Sequence, residues 1–280
     1  MHYTGTIWRP PYEADSLIIE AFCTLYEELP FTFRPSPMEH IETDLLEAQT
    51  WFHDPLRRTE ERLFELEKAK VNRIFLAGAD PFALSTRRLL EIAGLVHEYF
   101  PQTRSIGCFS RVTDVAMKSD EELAKLALAG FDGLTIGIES GYDEALAFMD
   151  KGYEAGDIVR ECRRLDEAGI SYAFFCLAGI AGKGHGIENA QATAAICNQT
   201  NPWLIGVNML TVYKSSELYQ EIEAGRWIEA GEVEKYEEIR ELVRGLEIPT
   251  EFAMLGASNP VMIRWRLPRS GSVPNVGVGT

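Results

Sequence analysis

The residues of this sequence that could do chemistry follow directly after apolar, strand-like segments. They comprise a thiol, a serine pair, two carboxylates, a guanidinium and several glycines in turns: Cys23, Gly78, Asp80, Ser110, Arg111, Glu139, Ser140, Gly179 and Gly182. In parallel α/β barrels the functional groups come from the carboxyl ends of the strands, which meet on one rim. The sequence therefore predicts that these residues converge on the rim of such a barrel.

Two of these carboxylates have a structural explanation as well as a functional one. Asp80 stands where an aspartate often caps the helix that follows a strand. Glu139 follows the apolar residues 133–138 directly, where burial of a carboxylate without a partner or a ligand is costly. A salt bridge to Arg111 on the neighbouring strand end would satisfy it. Both explanations stay open for Asp80, and we favour function for Glu139.

The glycines also allow two explanations. Gly179 and Gly182 lie in a glycine-rich stretch, and residues without a Cβ permit close approach of a backbone to a ligand. Such a stretch also occurs where a loop is merely flexible.

Strand-like segments alternate with amphipathic helices along most of the chain. The predicted strands are 16–22, 71–77, 105–109, 133–138, 172–177 and 204–210. The predicted helices are 38–52, 56–69, 85–99, 119–129, 155–168, 187–200, 216–224 and 232–245. Continuously apolar strands separated by helices are typical of a parallel sheet covered by helices.

The count of six strands rather than eight predicts an open barrel. We therefore expect an α/β fold, a partial (β/α)6 TIM-like barrel with parallel strands and outer helices, over residues 1–267. The glycine-, serine- and valine-rich residues 268–280 have no periodicity and are predicted to be a disordered tail.

Composition excludes several classes of partner. The net charge of −16 argues against nucleic acid, because phosphate binding requires a basic face. No apolar run approaches the roughly 20 residues of a membrane helix, and the first residues do not resemble a secretory signal. The odd number of widely spaced cysteines predicts a reducing, cytoplasmic location. Four of them lie inside predicted elements and are expected to pack as small core residues: Cys108, Cys162, Cys176 and Cys197.

A set of short motifs resembles one enzyme superfamily. The motifs are Gly137–Leu146, Met149–Gly152, Leu165–Gly169, Gly179–Gly182 and Leu210–Tyr213. Together they resemble the radical S-adenosylmethionine (radical SAM) superfamily, and they look closest to its bacterial branch with a six-stranded partial barrel. The resemblance extends from about Tyr3 to Leu267.

The resemblance implies cofactor contacts at four strand ends. The turn that contains Gly78 and Asp80 would receive the methionyl amino group of S-adenosylmethionine. The turn with Gly179 and Gly182 would lie against adenine. The contacts to the carboxylate and the ribose would come from Ser110, Arg111, Glu139 and Ser140.

The resemblance also implies a [4Fe–4S] cluster, held by a Cys-x3-Cys-x2-Cys loop after the first strand. In the family this cluster cleaves S-adenosylmethionine reductively to a 5′-deoxyadenosyl radical, which acts on a substrate and requires an electron donor. Cys23 aligns with the third cysteine of that loop, and the other two are absent from this sequence. One thiolate cannot retain such a cluster, because cubane clusters need several closely spaced thiolates.

These observations leave three hypotheses. The leading one is a radical SAM-type enzyme that acts on a small-molecule substrate by the family reaction, with Cys23 as its remaining metal ligand. The alternative is a non-catalytic protein or scaffold that binds S-adenosylmethionine. A third is an ordinary barrel enzyme that uses Asp80, Glu139 and Lys214 as acids and bases.

Overall fold

A computed structural model of the protein describes residues 36–56, 71–76, 80–214 and 216–254, and the backbone of 264–266. Several of the predictions above fall outside these residues. They are Cys23, Gly78, the predicted strand 16–22, nearly all of the predicted helix 56–69, and the predicted tail 268–280.

One sheet, with its strands in chain order, forms the centre of the described part. The strands are β1 (Arg73–Leu76), β2 (Ser105–Ser110), β3 (Leu134–Glu139), β4 (Tyr172–Ala178), β5 (Leu204–Met209), β6 (Glu251–Met254) and β7 (Arg264–Arg266). Each of β1 to β5 pairs in parallel with the next strand, and β7 pairs antiparallel with β6. The carboxyl ends of six parallel strands therefore lie along one edge, which we call the rim.

One described helix precedes β1, and the others connect successive parallel strands. They are α1 (Met38–Phe52), α2 (Thr86–Tyr99), α3 (Val112–Ala116), α4 (Asp120–Leu128), α5 (Asp143–Phe148), α6 (Ala155–Ala168), α7 (Gly186–Cys197), α8 (Glu217–Glu223) and α9 (Glu232–Gly245), with a 3-10 turn at Pro81–Ala83. None of the described helices has the length and apolar character needed to cross a membrane.

The predicted α/β partial barrel is confirmed, and five of the predicted strands correspond to β1–β5. The sequence reasoning missed β6 and β7, which contain four and three residues. It also missed the short helices α3 and α5. Segments of this length contain too few residues to show a recognisable period.

Local signals set several helix ends as predicted. The Ser119 hydroxyl accepts the backbone N–H of Glu122 at 3.2 Å, and the Glu122 carboxylate accepts the N–H of Ser119 at 2.9 Å. This reciprocal pair is the expected capping box at the start of α4. Helix α6 ends at Gly169, which has a left-handed backbone with φ of 79°, a conformation that glycine adopts without steric cost.

The core lies between the sheet and its helices. The four cysteines predicted to be core residues are all buried free thiols: Cys108, Cys162, Cys176 and Cys197. Helix α9 packs along α7 and reaches β4. The two helices approach so closely that a Cβ at Gly245 would lie 2.8 Å from the Cβ of Ala194. This pair of helices forms the outer wall behind the carboxyl end of β4.

Gly141, just after β3, also packs against α7. Its N–H donates to the Thr193 hydroxyl at 2.9 Å, and an added Cβ would lie 2.7 Å from the carbonyl oxygen of Ala192. Because that neighbour is helix backbone, it cannot move aside cheaply. The absence of a side chain at Gly141 thus lets the loop after β3 rest directly on α7.

We expect Gly141→Ala to destabilise the protein by roughly 1–3 kcal/mol, the usual cost of overpacking. The matched control is Gly156→Ala in α6, where an added Cβ meets nothing within 4 Å. That change should be neutral or stabilise by up to about 1 kcal/mol, since alanine favours helix over glycine. Urea unfolding of the two variants measures the difference, and equal stabilities would contradict the packing argument.

Candidate functional site

Asp80 follows β1 and lies buried at the rim. The residue is 9% exposed, and neither carboxylate oxygen makes a hydrogen bond of good geometry within the described residues. Its side chain does not cap the 3-10 turn that follows, and Ser85 caps α2. The capping explanation for Asp80 is therefore wrong, and its buried carboxylate has charged neighbours but no hydrogen bond of good geometry to the described residues.

Burial also changes the protonation of Asp80. Burial, as the largest cause, and the neighbouring Asp114 carboxylate together raise the pKa of this carboxyl group from 3.8 to about 9, whereas Arg111 and Lys118 act in the opposite direction. Loss of the proton at neutral pH therefore requires an additional positive charge close to the carboxylate. A bound cation would supply that charge.

The groups around Asp80 are engaged with the protein backbone. Asp114 accepts the N–H of Arg111 at 2.7 Å. Lys118 donates to the carbonyl oxygens of Phe82 at 2.7 Å and Leu84 at 3.1 Å, and burial lowers the pKa of this lysine. Lys118 thereby holds the loop after β1 against the loop after β2.

Glu139, the last residue of β3, has a strained backbone. Its φ of 56° is in the left-handed region, which costs a residue other than glycine about 1–3 kcal/mol. The pairing of β3 with β4 shifts register between Gly137 and Glu139. The Glu139 carboxylate folds back over Gly137, where an added Cβ would lie 2.7 Å from Oε1 of Glu139. The strain turns this side chain away from the position that a regular strand would give it.

Neighbouring residues hold this conformation. Lys151 has a fully buried side chain, and its Nζ lies 3.6 Å from Oε1 of Glu139, whose side chain is 14% exposed. The Tyr153 hydroxyl lies 3.0 Å from the carbonyl oxygen of Gly137 and 3.2 Å from that of Ile138. One cation beside Glu139 is thus Lys151, which lies within the Met149–Gly152 motif but to which the sequence reasoning gave no role, because lysines are rarely buried.

Ser110 ends β2, and Arg111 follows it and is bonded to the loop after α5. The Arg111 guanidinium donates through Nη2 to the carbonyl oxygen of Lys151 at 2.8 Å. The buried Ser110 hydroxyl donates to the carbonyl oxygen of Arg111 at 3.0 Å. Arg111 therefore lies between the Asp80 carboxylate, which its charge influences, and the Lys151–Glu139 ion pair.

A buried chain of hydrogen bonds joins the turn after β3 (residues 139–142, the β3 turn) to the turn after β4 (residues 179–182, the β4 turn). The Ser140 hydroxyl donates to Oδ1 of Asn189 at 2.5 Å. Nδ2 of Asn189 donates to Oε1 of Glu238 at 2.6 Å. Oε2 of Glu238 accepts the N–H of Gly179 at 2.9 Å. Two predicted site residues are thus linked through two residues that the sequence reasoning missed.

A signal for Glu238 exists in the helical period of α9. Its buried residues are Lys235, Glu238, Ile239 and Leu242, which share one helix face because they are three, four and seven positions apart. A carboxylate at a core position of an amphipathic helix indicates a specific partner inside the protein. Burial raises the pKa of Glu238 to about 7, although its hydrogen bonds from Asn189 and Gly179 oppose the shift.

The two glycines of the β4 turn are required by packing. Gly179 and Gly182 have φ of 88° and 80°. An added Cβ at Gly179 would lie 2.6 Å from Cε of Lys235, and one at Gly182 would lie 2.8 Å from Nε1 of Trp227. Close contacts with α9 and with Trp227 therefore define this turn, which is not a loose loop.

Metal-binding groups are scarce among the described residues. No three of the histidines, cysteines, aspartates and glutamates there lie close enough together to hold a metal ion, and the four described thiols are buried in the core. Lys214 is exposed on the loop after β5.

The family model for the Radical SAM superfamily matches residues 21–195, more than half of the chain. The chain belongs to the radical SAM superfamily. The matched range contains Cys23 and every residue for which the motifs imply a cofactor contact, whereas α8, α9 and β6 lie outside it. None of the curated proteins matches this radical SAM protein at a significant level.

Solved structures show the same fold. Coproporphyrinogen III oxidase (HemN) from Escherichia coli is 14% identical, with 81% of this chain and 49% of that chain covered and a TM-score of 0.54. Methylornithine synthase (PylB) is 16% identical, with 82% and 60% covered and a TM-score of 0.53. Elp3 from Methanocaldococcus infernus, with an N-terminal deletion, is 16% identical, with 74% and 53% covered and a TM-score of 0.50. The chain thus spans from 49% to 60% of the length of these proteins, and identities this low show the fold alone.

The raised pKa of Asp80 predicts a pH-dependent stability. The folded protein retains a proton that the unfolded chain releases above about pH 4, so this stabilisation is complete below the unfolded pKa and is lost as pH rises through 9. We expect Asp80→Asn to reduce the loss of stability between pH 7 and pH 9 by roughly 2 kcal/mol.

Urea unfolding at both pH values measures this difference. The control is Asp54→Asn, at a turn after α1 where the carboxylate accepts the N–H of Leu56; it should follow the wild-type profile. An Asp80→Asn profile parallel to wild type would show that Asp80 is ionised throughout this range.

Proposed function

We propose that this protein binds S-adenosylmethionine at the rim formed by β1–β4. The observation that carries this proposal is the buried Asp80 carboxylate, which has no hydrogen-bond partner within the described residues and lies beside the Arg111 charge. An amino acid headgroup carries an ammonium and a carboxylate on one carbon. An adjacent carboxylate and guanidinium match those two charges.

Each rim residue has a role in this proposal. Asp80 would accept the ammonium, whose charge would stabilise the ionised form of Asp80, and Arg111 would face the carboxylate of the methionine moiety. The partly exposed Glu139 carboxylate would accept hydrogen bonds from ribose hydroxyls.

Ser110 and Ser140 have buried hydroxyls that bond within the protein, so they would support the site by holding its backbone. Gly78, Gly179 and Gly182 would complete it with backbone approach to the ligand.

The reaction of the superfamily requires a second cofactor. A [4Fe–4S] cluster, when bound, supplies the electron for cleavage of S-adenosylmethionine, and the resulting 5′-deoxyadenosyl radical acts on a substrate. Cys23 is the one thiol of the Cys-x3-Cys-x2-Cys pattern in this sequence, and the described residues offer no further set of ligands. We therefore propose that this chain as it stands binds S-adenosylmethionine without cleaving it, and that the family reaction depends on restoring the thiolates.

Binding can be tested by calorimetry with S-adenosylmethionine and the Glu139→Gln variant. We expect wild type to bind, and Glu139→Gln to bind at least about tenfold more weakly, since a hydrogen bond to a charged group contributes about 1.5–3 kcal/mol. The control is Glu144→Gln, an exposed residue of α5, which should bind as wild type does.

The Glu139→Gln change also leaves the buried Lys151 charge uncompensated. The double variant Glu139→Gln/Lys151→Met removes both charges, so it separates loss of the ligand contact from loss of the ion pair. Absence of any heat with wild type would refute the proposed function, and unchanged affinity in both variants would remove Glu139 from the site.

The cluster prediction has its own test. Anaerobic reconstitution of wild type with iron and sulfide should give no broad thiolate-to-iron absorbance and no 5′-deoxyadenosine after reduction. Insertion of a three-cysteine loop that ends at Cys23 should restore the absorbance, and Cys23→Ser in that background should abolish it again. A reducible, paramagnetic cluster in the unaltered chain would contradict the prediction.

A further inference from the structure

We propose that Glu238 and Asn189 are positioning residues that lock the β3 turn to the β4 turn and so set the distance between two parts of the S-adenosylmethionine site. This inference rests on the proposed function. Both residues are almost completely buried, at 4% and 3% exposure. They therefore act through the turns that they hold rather than by touching a ligand.

The hydrogen-bond directions leave little freedom in this chain. The two oxygens of Glu238 have separate donors, the N–H of Gly179 and Nδ2 of Asn189. The amide oxygen of Asn189 accepts from Ser140, whose hydroxyl in turn accepts the N–H of Tyr142 at 2.8 Å. A movement of either turn away from the other would leave a buried donor or acceptor without a partner, which costs about 1–3 kcal/mol.

The presence of a glutamate at the buried position 238 indicates a specific role for its carboxylate. Its buried neighbours on α9 include Ile239 and Leu242, and an apolar residue of similar size would fill the same space without the cost of burying a carboxylate. In some proteins a buried polar group is retained because it specifies one arrangement of the core. Here that arrangement joins residues of two different strand ends.

Helix α9 also holds the β4 turn from a second side. The aliphatic part of Lys235 packs against Gly179, and its Nζ donates to the carbonyl oxygen of Leu210 at 2.9 Å and to the Glu229 carboxylate at 2.8 Å. Lys235 and Glu238 therefore both hold Gly179, the first residue of the β4 turn, in place. The family match ends at residue 195, so α9 lies beyond it. The β4 turn, which α9 holds, lies inside the matched range.

A graded set of variants tests this inference. Glu238→Gln keeps one acceptor, and Glu238→Met fills the volume but accepts no hydrogen bond. Asn189→Leu breaks the link to Ser140 and leaves the bond between Glu238 and Gly179 possible. The matched control is Glu241→Met, because Glu241 accepts from Gln191 at 3.3 Å between the same two helices at the surface.

Two measurements apply to each variant: the Kd of S-adenosylmethionine by calorimetry, and hydrogen exchange at the Gly179 amide without ligand. We expect Kd to rise modestly in Glu238→Gln and by roughly tenfold or more in Glu238→Met and Asn189→Leu. Exchange at Gly179 should accelerate in the Glu238 variants and change less in Asn189→Leu. Glu241→Met should match wild type in both measurements.

A destabilising substitution remote from the rim distinguishes a positioning role of Glu238 from a general loss of stability. Ile92→Val, in the buried face of α2, should lower the melting temperature without changing Kd. Equal weakening of binding in Ile92→Val and in the Glu238 variants would overturn the inference. Wild-type affinity in Glu238→Met and Asn189→Leu would also overturn it while the proposed function stands, whereas failure of wild type to bind would refute both.

Discussion

The left-handed backbone of Glu139 is the constraint on which the rim depends. A residue with a side chain adopts this conformation only when its surroundings compensate the strain. Here Tyr153 binds the two preceding carbonyls, the buried Lys151 faces the carboxylate, and Gly137 leaves room for it. The β3 turn that follows rests on α7 through Gly141. A strained strand end, held from several directions, thus presents one carboxylate in a fixed position.

The buried lysines of the rim and the half-buried Arg111 bind backbone carbonyls. Lys118 binds carbonyls of the loop after β1, Arg111 binds a carbonyl of the loop after α5, and Lys235 binds the carbonyl of Leu210 after β5. Buried ammonium and guanidinium groups need such acceptors. The same bonds that satisfy the cations therefore join neighbouring loops into one surface, and the Asp80 carboxylate makes no hydrogen bond of good geometry to the described part of it.

The elements that could be predicted from the sequence are those with a long local signal. Helices α1 and α9 have the predicted ends, and α4 begins at the predicted capping box, because period and caps involve residues within one or two turns. The strands β6 and β7 were missed, since three or four residues carry almost no period. The rim residues themselves could be predicted because parallel strands place their carboxyl ends on one side, a consequence of topology rather than of any single contact.

The partners of the rim residues could not be predicted in the same way. Glu238 and Gly179 are 59 positions apart, and Ser140 and Asn189 are 49 apart. The sequence by itself determined the class of fold, the superfamily, and which strand ends carry polar groups, because all three follow from local pattern and motif. Only the tertiary structure decided that Glu139 is paired with Lys151, that Asp80 is buried without a hydrogen bond to the described residues, and that Glu238 links two turns. Those properties depend on desolvation and on contacts between distant segments, and neither is defined until the chain has folded.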